Sequence, residues 1–247
     1  MRRSFRRVIS SNVAIGFLAS LISQLRLRKK NQEFYSQSHE DSIISRFCPE
    51  KLGQYVDVGS GRPISGSNSY YFYKKGWTGI LVDPIKRNEL LSRVLRRRDK
   101  FHRALVGAEG DVNFYETYPY EYSTTSADVY ENLLKSGLVK LVTKSQMTVK
   151  PLSDLNLHVL QSEPSFLSID AEGADFEVLQ SNDWTKFKPR VICIESPQDA
   201  DLNSGSIIDY LDQLGYQLVE QTQLSKIFVT RLYLQLSKAG DNPQHLK

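Results

Sequence analysis

Cysteine, histidine and tryptophan are scarce in this chain of 247 residues, and their scarcity closes several routes at once. The two cysteines, Cys48 and Cys193, stand far apart and show no metal-ligand spacing. They offer no disulfide framework, so a reducing, cytoplasmic setting is expected. The four histidines (His39, His102, His158 and His245) are scattered, and His102 alone falls where a strand faces a crevice. No Gly-x-x-x-x-Gly-Lys-Ser/Thr phosphate loop is present, which counts against nucleotide hydrolysis. Long apolar runs are missing as well. The run Val13 to Ile22 falls short of the about 20 residues that a membrane span takes. It looks like the hydrophobic region of a signal peptide, but no small-residue cleavage site follows and arginines resume at once. Internal repeats and low-complexity tracts are also lacking.

What is present is the composition of a globular protein, with 40% hydrophobic residues and a length suited to one full core. The charge is unevenly spread. The first thirty residues hold eight basic side chains (Arg2, Arg3, Arg6, Arg7, Arg26, Arg28, Lys29, Lys30) and no acid. The remainder carries 24 Lys+Arg against 28 Asp+Glu, a net of −4 beneath an overall +4. The chain therefore divides into a basic extension, residues 1–30, and a mildly acidic domain, residues 31–247. A broad nucleic-acid surface is disfavoured on such a body. The local cluster Arg93, Arg96, Arg97, Arg98 and Lys100 reads as the solvated face and end of a helix. For the extension three readings stand: a disordered tail, a helix packed on the domain, or a basic helix lying on an anionic membrane.

The pattern along the body alternates strands and helices. A helix is expected over Ser38 to Phe47, with Ile43, Ile44 and Phe47 as its apolar stripe. Strands are expected over Tyr55 to Val58, Thr78 to Val82, Phe101 to Val106, Val112 to Tyr115, Ser165 to Asp170 and Arg190 to Glu195. Helices fall over Tyr70 to Tyr73, Glu89 to Arg97, Ala127 to Lys135, Ala174 to Gln180 and Ile207 to Leu214. A short helix opens at Pro151. Glu116 to Thr125 reads as a loop, and Tyr216 to Glu220 with Lys226 to Leu232 as a final hairpin. This order predicts an α/β fold: a Rossmann-like sandwich with a mostly parallel sheet, helices on both faces and a C-terminal antiparallel hairpin.

In open α/β sheets ligands bind at the carboxyl ends of the strands. Those ends here carry Asp57, Asp83, Asp170 and Glu195, with Glu172 just beyond. The first strand runs into the turn Gly59-Ser-Gly61, and the second ends in Asp83, placed to accept hydrogen bonds from a ribose diol. Four acids in one crevice favour a ligand with hydroxyls and a positive centre over a bare polyphosphate. A nicotinamide dinucleotide needs Gly-x-Gly-x-x-Gly, whereas here Pro63 intervenes and the next glycine, Gly66, comes two positions late. Tyr70 to Tyr73 read as packing against the sheet. Ser123, Thr124 and Thr125 sit in a loop placed to cover an acceptor.

Tyr55-Val-Asp-Val-Gly, Ser67-Asn-Ser-Tyr-Tyr-Phe-Tyr, Gly76-Trp-Thr-Gly-Ile, Val82-Asp-Pro and Phe166-Leu-Ser-Ile-Asp-Ala-Glu-Gly together resemble the FkbM-type methyltransferases. So do Ser36-Gln37 with Glu40-Asp41, and Pro189-Arg-Val-Ile-Cys-Ile-Glu195. The resemblance covers roughly residues 34 to 231 and departs at Ala171, where many members carry valine. It implies a class I fold that uses S-adenosylmethionine and, most often, O-methylation of a small molecule or sugar. Carried over by position, Asp57, Gly59 and Gly61 would lie along the methionine part of the cofactor and Asp83 would hold its ribose. Asp170 and Glu172 would face the methyl group and the acceptor as the catalytic residues, with no metal. For both, the plainer reading is that they cap the following helix.

The expected function is therefore a methyltransferase acting on a hydroxyl of a small-molecule or carbohydrate acceptor. The alternatives are a Rossmann-type nicotinamide-dependent oxidoreductase and a non-catalytic domain tethered at a membrane surface through residues 1–30. A divalent metal held by Asp170, Glu172 and Glu195 is a rival account of the acidic end.

Overall fold

The computed structural model describes residues 13–30, 32–155, 157, 164–196 and 201–238. Arg2, Arg3, Arg6, Arg7, His158, His245 and the chain's last residues lie outside the described residues. The chain runs through α1 (Val13–Lys29), α2 (Glu40–Phe47), β1 (Gln54–Val58), α3 (Tyr70–Lys75), β2 (Thr78–Val82), α4 (Lys86–Leu95), β3 (Lys100–His102) and β4 (Leu105–Val106). It continues through β5 (Gly110–Tyr118), α5 (Ala127–Lys135), β6 (Lys140–Lys150), β7 (Ser165–Ile169), α6 (Asp175–Gln180) and β8 (Val191–Glu195). It closes with α7 (Asp201–Gln213), β9 (Tyr216–Gln221), β10 (Ser225–Thr230) and α8 (Arg231–Lys238).

Seven strands form the main sheet in the order β3-β2-β1-β7-β8-β10-β9. The first five are parallel, and β10 runs antiparallel to both of its neighbours. The order reverses between β1 and β7, which places a crevice at their carboxyl ends. Central strands are buried on both faces, as helices on both sides require. On one face Val56, Val58, Val82, Leu167 and Ile169 pack under Val178 of α6 and Leu211 of α7. On the other, Tyr55, Leu81, Phe166 and Cys193 meet Ile44 of α2 and Phe72 of α3. Residues two apart on a strand share a face, so Asp57 turns to the side of Tyr55.

Register is what builds the site. Val58 pairs with both Val82 and Ile169, and Ile169 pairs with Ile194. The residues that follow, Gly59, Asp83, Asp170 and Glu195, therefore come out level along one edge of the sheet.

Three differences from the sequence reading have physical reasons. The predicted third strand, Phe101 to Val106, is two pieces: β3 joins the main sheet and β4 a second sheet of order β4-β6-β5. The eleven-residue β6 gave no signal because it is exposed along most of its length and has no buried face to impose an alternation. Chain beyond Thr230, expected to continue the last strand, winds into α8, where Tyr233 and Leu234 pack on the core.

The described part of the extension is a helix packed on the domain. Gln24 of α1 is buried, and its Oε1 accepts from the amides of Ile64 and Ser65, both at 3.1 Å. Leu21 and Leu27 pack against the core from the same element. Its outer face leaves Leu18, Ile22 and Leu25 exposed beside Arg26, Arg28 and Lys30. Among the described residues no helix is long and apolar enough to cross a membrane.

Candidate active site

A cavity of about 710 Å³ opens over the level strand ends. Gly59, Gly61, Asp83, Asp170 and Glu172 all line it. Asp57 and Glu195 do not.

The turn after β1 is tied to its neighbours by backbone. The Val82 carbonyl accepts from the amides of Gly59 (2.9 Å) and Ser60 (3.1 Å), and Asp170 donates its amide to Val58 (3.0 Å). Gly59 has a φ of 72°, and a Cβ there would stand 1.6 Å from the Asp170 carbonyl oxygen. Only glycine lets the ends of β1 and β7 approach this closely. Asp83 anchors the same turn from the other side. Its Oδ2 accepts from the Gly61 amide (3.0 Å), its Oδ1 from the Ile85 amide (2.8 Å), and Asn88 donates to both oxygens (3.2 and 3.1 Å). Burial pushes its carboxyl up to about 7 against the pull of these hydrogen bonds.

Asp57, expected along the cofactor, lies beneath the turn instead. Strand alternation turns its carboxylate away from the cavity, where it accepts from the Ser69 hydroxyl. Burial lifts it to about 6, with Ser69 and then Arg96 opposing. Arg96 is the centre of this hidden network. Its Nε donates to Asp99 (2.7 Å), its Nη2 to the Tyr55 hydroxyl (2.8 Å) and Ser69 (3.0 Å), and its Nη1 to the Pro63 carbonyl (3.0 Å). Of the basic cluster read as a solvated face, Arg96 is thus fully buried. Its position in a run of arginines hid this. Tyr70, Phe72 and Tyr73 pack inward as expected.

At the end of β7 the side chains divide their work. Asp175 accepts from the amides of Ala171 (2.8 Å) and Gly173 (3.1 Å), so this residue holds the turn into α6. That leaves Asp170 and Glu172 free of the capping duty. Glu172 takes a φ of 51°, a left-handed backbone that non-glycine residues seldom adopt and that marks functional turns. It is exposed at the rim, yet desolvation, then Asp170 and Asp175, push its carboxyl up to about 7. Asp170 is pushed well above the carboxylate range by burial and then by its hydrogen-bonded neighbour Glu195, which itself rises to about 7. Crowded carboxyls of this kind hold protons until a cation arrives. Among the described residues no group of three or more His, Cys, Asp or Glu is placed to hold a metal ion.

The cavity also has walls that sequence reasoning missed. Gln32, Tyr35, Ser36 and Gln37 form one side, just after α1. Arg62, Arg87, Tyr120 and Glu121 form another, joined by an Arg62–Glu121 ion pair. Ser123, Thr124 and Thr125 line it as the loop reading anticipated. His102 is not among the lining residues.

Comparison with known proteins bears on this arrangement. A family model described as the methyltransferase FkbM domain matches residues 57–218. No curated protein matches the sequence. Among solved structures, a TehB-like SAM-dependent methyltransferase from Corynebacterium glutamicum is 12% identical with a TM-score of 0.43, covering 89% of this chain and 100% of its own. A candidate O-methyltransferase from Klebsiella pneumoniae is 9% identical with a TM-score of 0.39, covering 87% of this chain and 89% of its own. Nothing in the family match supports a nicotinamide-dependent alternative. The matched span holds the glycine turn, Asp83 and the Asp170–Gly173 turn, and this chain, a mostly parallel α/β sandwich, belongs to the FkbM methyltransferase domain family.

Proposed function

We propose that the protein transfers the methyl group of S-adenosylmethionine to a hydroxyl of a small-molecule or carbohydrate acceptor. The observation that carries this is the register that levels Gly59, Asp83 and Asp170 around one cavity in a chain of this family. The donor set fits the cofactor. A Cβ at Gly61 on the cavity wall would meet only the Gly59 carbonyl oxygen within 4 Å, at 3.8 Å, and the buried Asp83 carboxyl lines the wall beside it. Asp170 with its raised pKa lines the β7 end, and together these features support an adenosyl ligand with a positive centre.

When bound, the cofactor supplies a methyl on a positively charged sulfur. The chain does the remainder. Asp83 would hold the ribose hydroxyls by exchanging for them part of the four hydrogen bonds it accepts from Gly61, Ile85 and Asn88, with the Gly59–Gly61 turn lining the site. Asp170 would stand nearest the sulfonium with its proton directed to Glu195, and Glu195 behind it would carry the opposing negative charge. Glu172, at the rim and poised near neutrality, takes the proton from the acceptor hydroxyl on its carboxylate as the oxygen attacks. In such a transfer the C–S bond would break as the O–C bond forms, leaving the electron pair on sulfur. Alignment of the two reactants supplies much of the acceleration.

The deciding experiment is calorimetry with S-adenosylhomocysteine and NAD. The former binds and the latter does not. Asp83→Ala lowers the affinity by about 1–3 kcal/mol, because it removes a charge-assisted acceptor. Unchanged affinity in that variant removes the ribose assignment, and a chain that binds neither ligand favours a non-catalytic domain.

The exposed stripe Leu18, Ile22 and Leu25, flanked by Arg26, Arg28 and Lys30, favours a second part of the reading. In it, the outer face of α1 rests on an anionic membrane while its inner face stays on the domain.

A further inference from the structure

Arg87 stands in the first turn of α4, four residues beyond Asp83, and lines the cavity. Its guanidinium lies 3.7 Å from the Tyr120 ring centroid. Nη1 reaches the Ser20 hydroxyl at 3.4 Å. Nε is closed off from solvent and has no hydrogen-bond partner. Among the described residues no carboxylate forms an ion pair with it; Arg62, on the same wall, is already matched by Glu121. Asp83, four residues earlier, is the carboxylate whose charge it feels, and Glu116 on β5 feels the Arg87 charge in turn; neither forms an ion pair with it. Desolvation holds the Arg87 pKa below that of ordinary arginine, with Tyr120 opposing and Arg62 adding to the effect.

A half-buried cation without a counter-ion is costly to a fold. Stacking on Tyr120 recovers part of that cost and leaves the edge of the guanidinium unmatched. Among the described residues Nη2 has no hydrogen-bond partner, and a charged N–H donor of this kind suits an oxyanion. The β7 end of the cavity thus carries carboxyls alone, while the α4 end adds, beside the buried Asp83, an arginine with no ion-pair partner among the described residues.

We infer that Arg87 is an oxyanion-recognition residue, and that the methyl acceptor carries a phosphate, sulfate or carboxylate that docks on its edge. This rests on the methyltransferase reading for the word acceptor but not for the anion site itself. The cofactor's own carboxylate is the other source of such chemistry, and the test separates the two.

Inorganic phosphate is titrated into the full chain with and without S-adenosylhomocysteine, for wild type, Arg87→Gln, Arg87→Lys and Arg62→Gln. Phosphate binds wild type. Its affinity falls about tenfold or more in Arg87→Gln, the share of a charge-assisted hydrogen bond. Arg87→Lys retains part of it, and Arg62→Gln stays close to wild type. The lysine variant keeps the test informative if the glutamine variant folds poorly. Equal phosphate affinity in wild type and Arg87→Gln overturns the inference. So does a loss of S-adenosylhomocysteine affinity in Arg87→Gln with 5′-methylthioadenosine binding unchanged, since only the former carries the carboxylate. Arg87-dependent phosphate binding in a chain that ignores S-adenosylhomocysteine would keep the anion site and overturn the methyltransferase reading instead.

Discussion

Glu172 joins a left-handed backbone, a position at the cavity rim and a carboxyl pushed up to about 7. Each follows from the turn that Asp175 holds, and together they make Glu172 a better proton acceptor at neutral pH than its neighbour. Asp170 retains its proton over the same range because burial and Glu195 oppose ionisation. Two consequences are measurable at this scale. The turnover rate should rise as pH increases through about 7, because a base must lose its proton to act. Glu172→Gln should lose that limb along with about 10²–10⁴-fold in rate, while binding of S-adenosylhomocysteine stays near wild type. Asp170→Asn imitates the protonated form and should cost much less. An equal loss in the two variants would return the base to Asp170. Both residues were legible in the sequence as acids ending a strand. The division of labour among Asp170, Glu172 and Asp175 was not, since it depends on which carboxylate the turn amides reach.

Elements with a buried face could be read from their periodicity, and the five parallel strands and their helices fall where apolar runs put them. Besides α8, expected as strand, two elements could not be read that way. The strand β6 has no core side to impose an alternation, and α1 owes its place to one polar residue. Gln24 caps the Ile64 and Ser65 amides just beyond the glycine turn, and the segment after α1 walls the cavity. Removal of residues 1–30 should therefore weaken cofactor binding as well as any membrane contact, contrary to what a detachable tail would show. A cleaner test of the membrane reading leaves Gln24 in place. Leu18→Glu with Ile22→Glu in the full chain should end sedimentation with anionic vesicles and spare the affinity for S-adenosylhomocysteine. Attraction of about 1 kcal/mol per nearby basic residue also makes the sedimentation of wild type sensitive to moderate salt. Equal sedimentation of the variant and wild type would remove the membrane reading.

Across the molecule, an acidic body folds around carboxyls that resist ionising. Asp57 rises to about 6 and Asp83, Glu172 and Glu195 to about 7, from ordinary values near 4. In the folded chain these groups keep protons that the unfolded chain has released, so the stability they confer below the unfolded pKa is lost as pH rises through the folded one. Without ligand, the thermal midpoint should accordingly fall between about pH 4 and about pH 7 and level off above. A bound sulfonium stabilises the ionised forms, so saturation with S-adenosylmethionine should flatten that decline, and scanning calorimetry at several pH values reads both. A midpoint independent of pH without ligand would show that these carboxyls are solvated. The second sheet has a different bearing. Segment 103–150 leaves the main sheet after β3, and its strands β4, β5 and β6 pair with one another in the second sheet, carrying Phe114, Tyr120 and the Ser123–Thr125 wall with them. The glycine turn, Asp83 and the β7 end stay behind on the main sheet. A lineage could thus exchange this one excursion and acquire a new acceptor while inheriting its methyl-donor machinery intact.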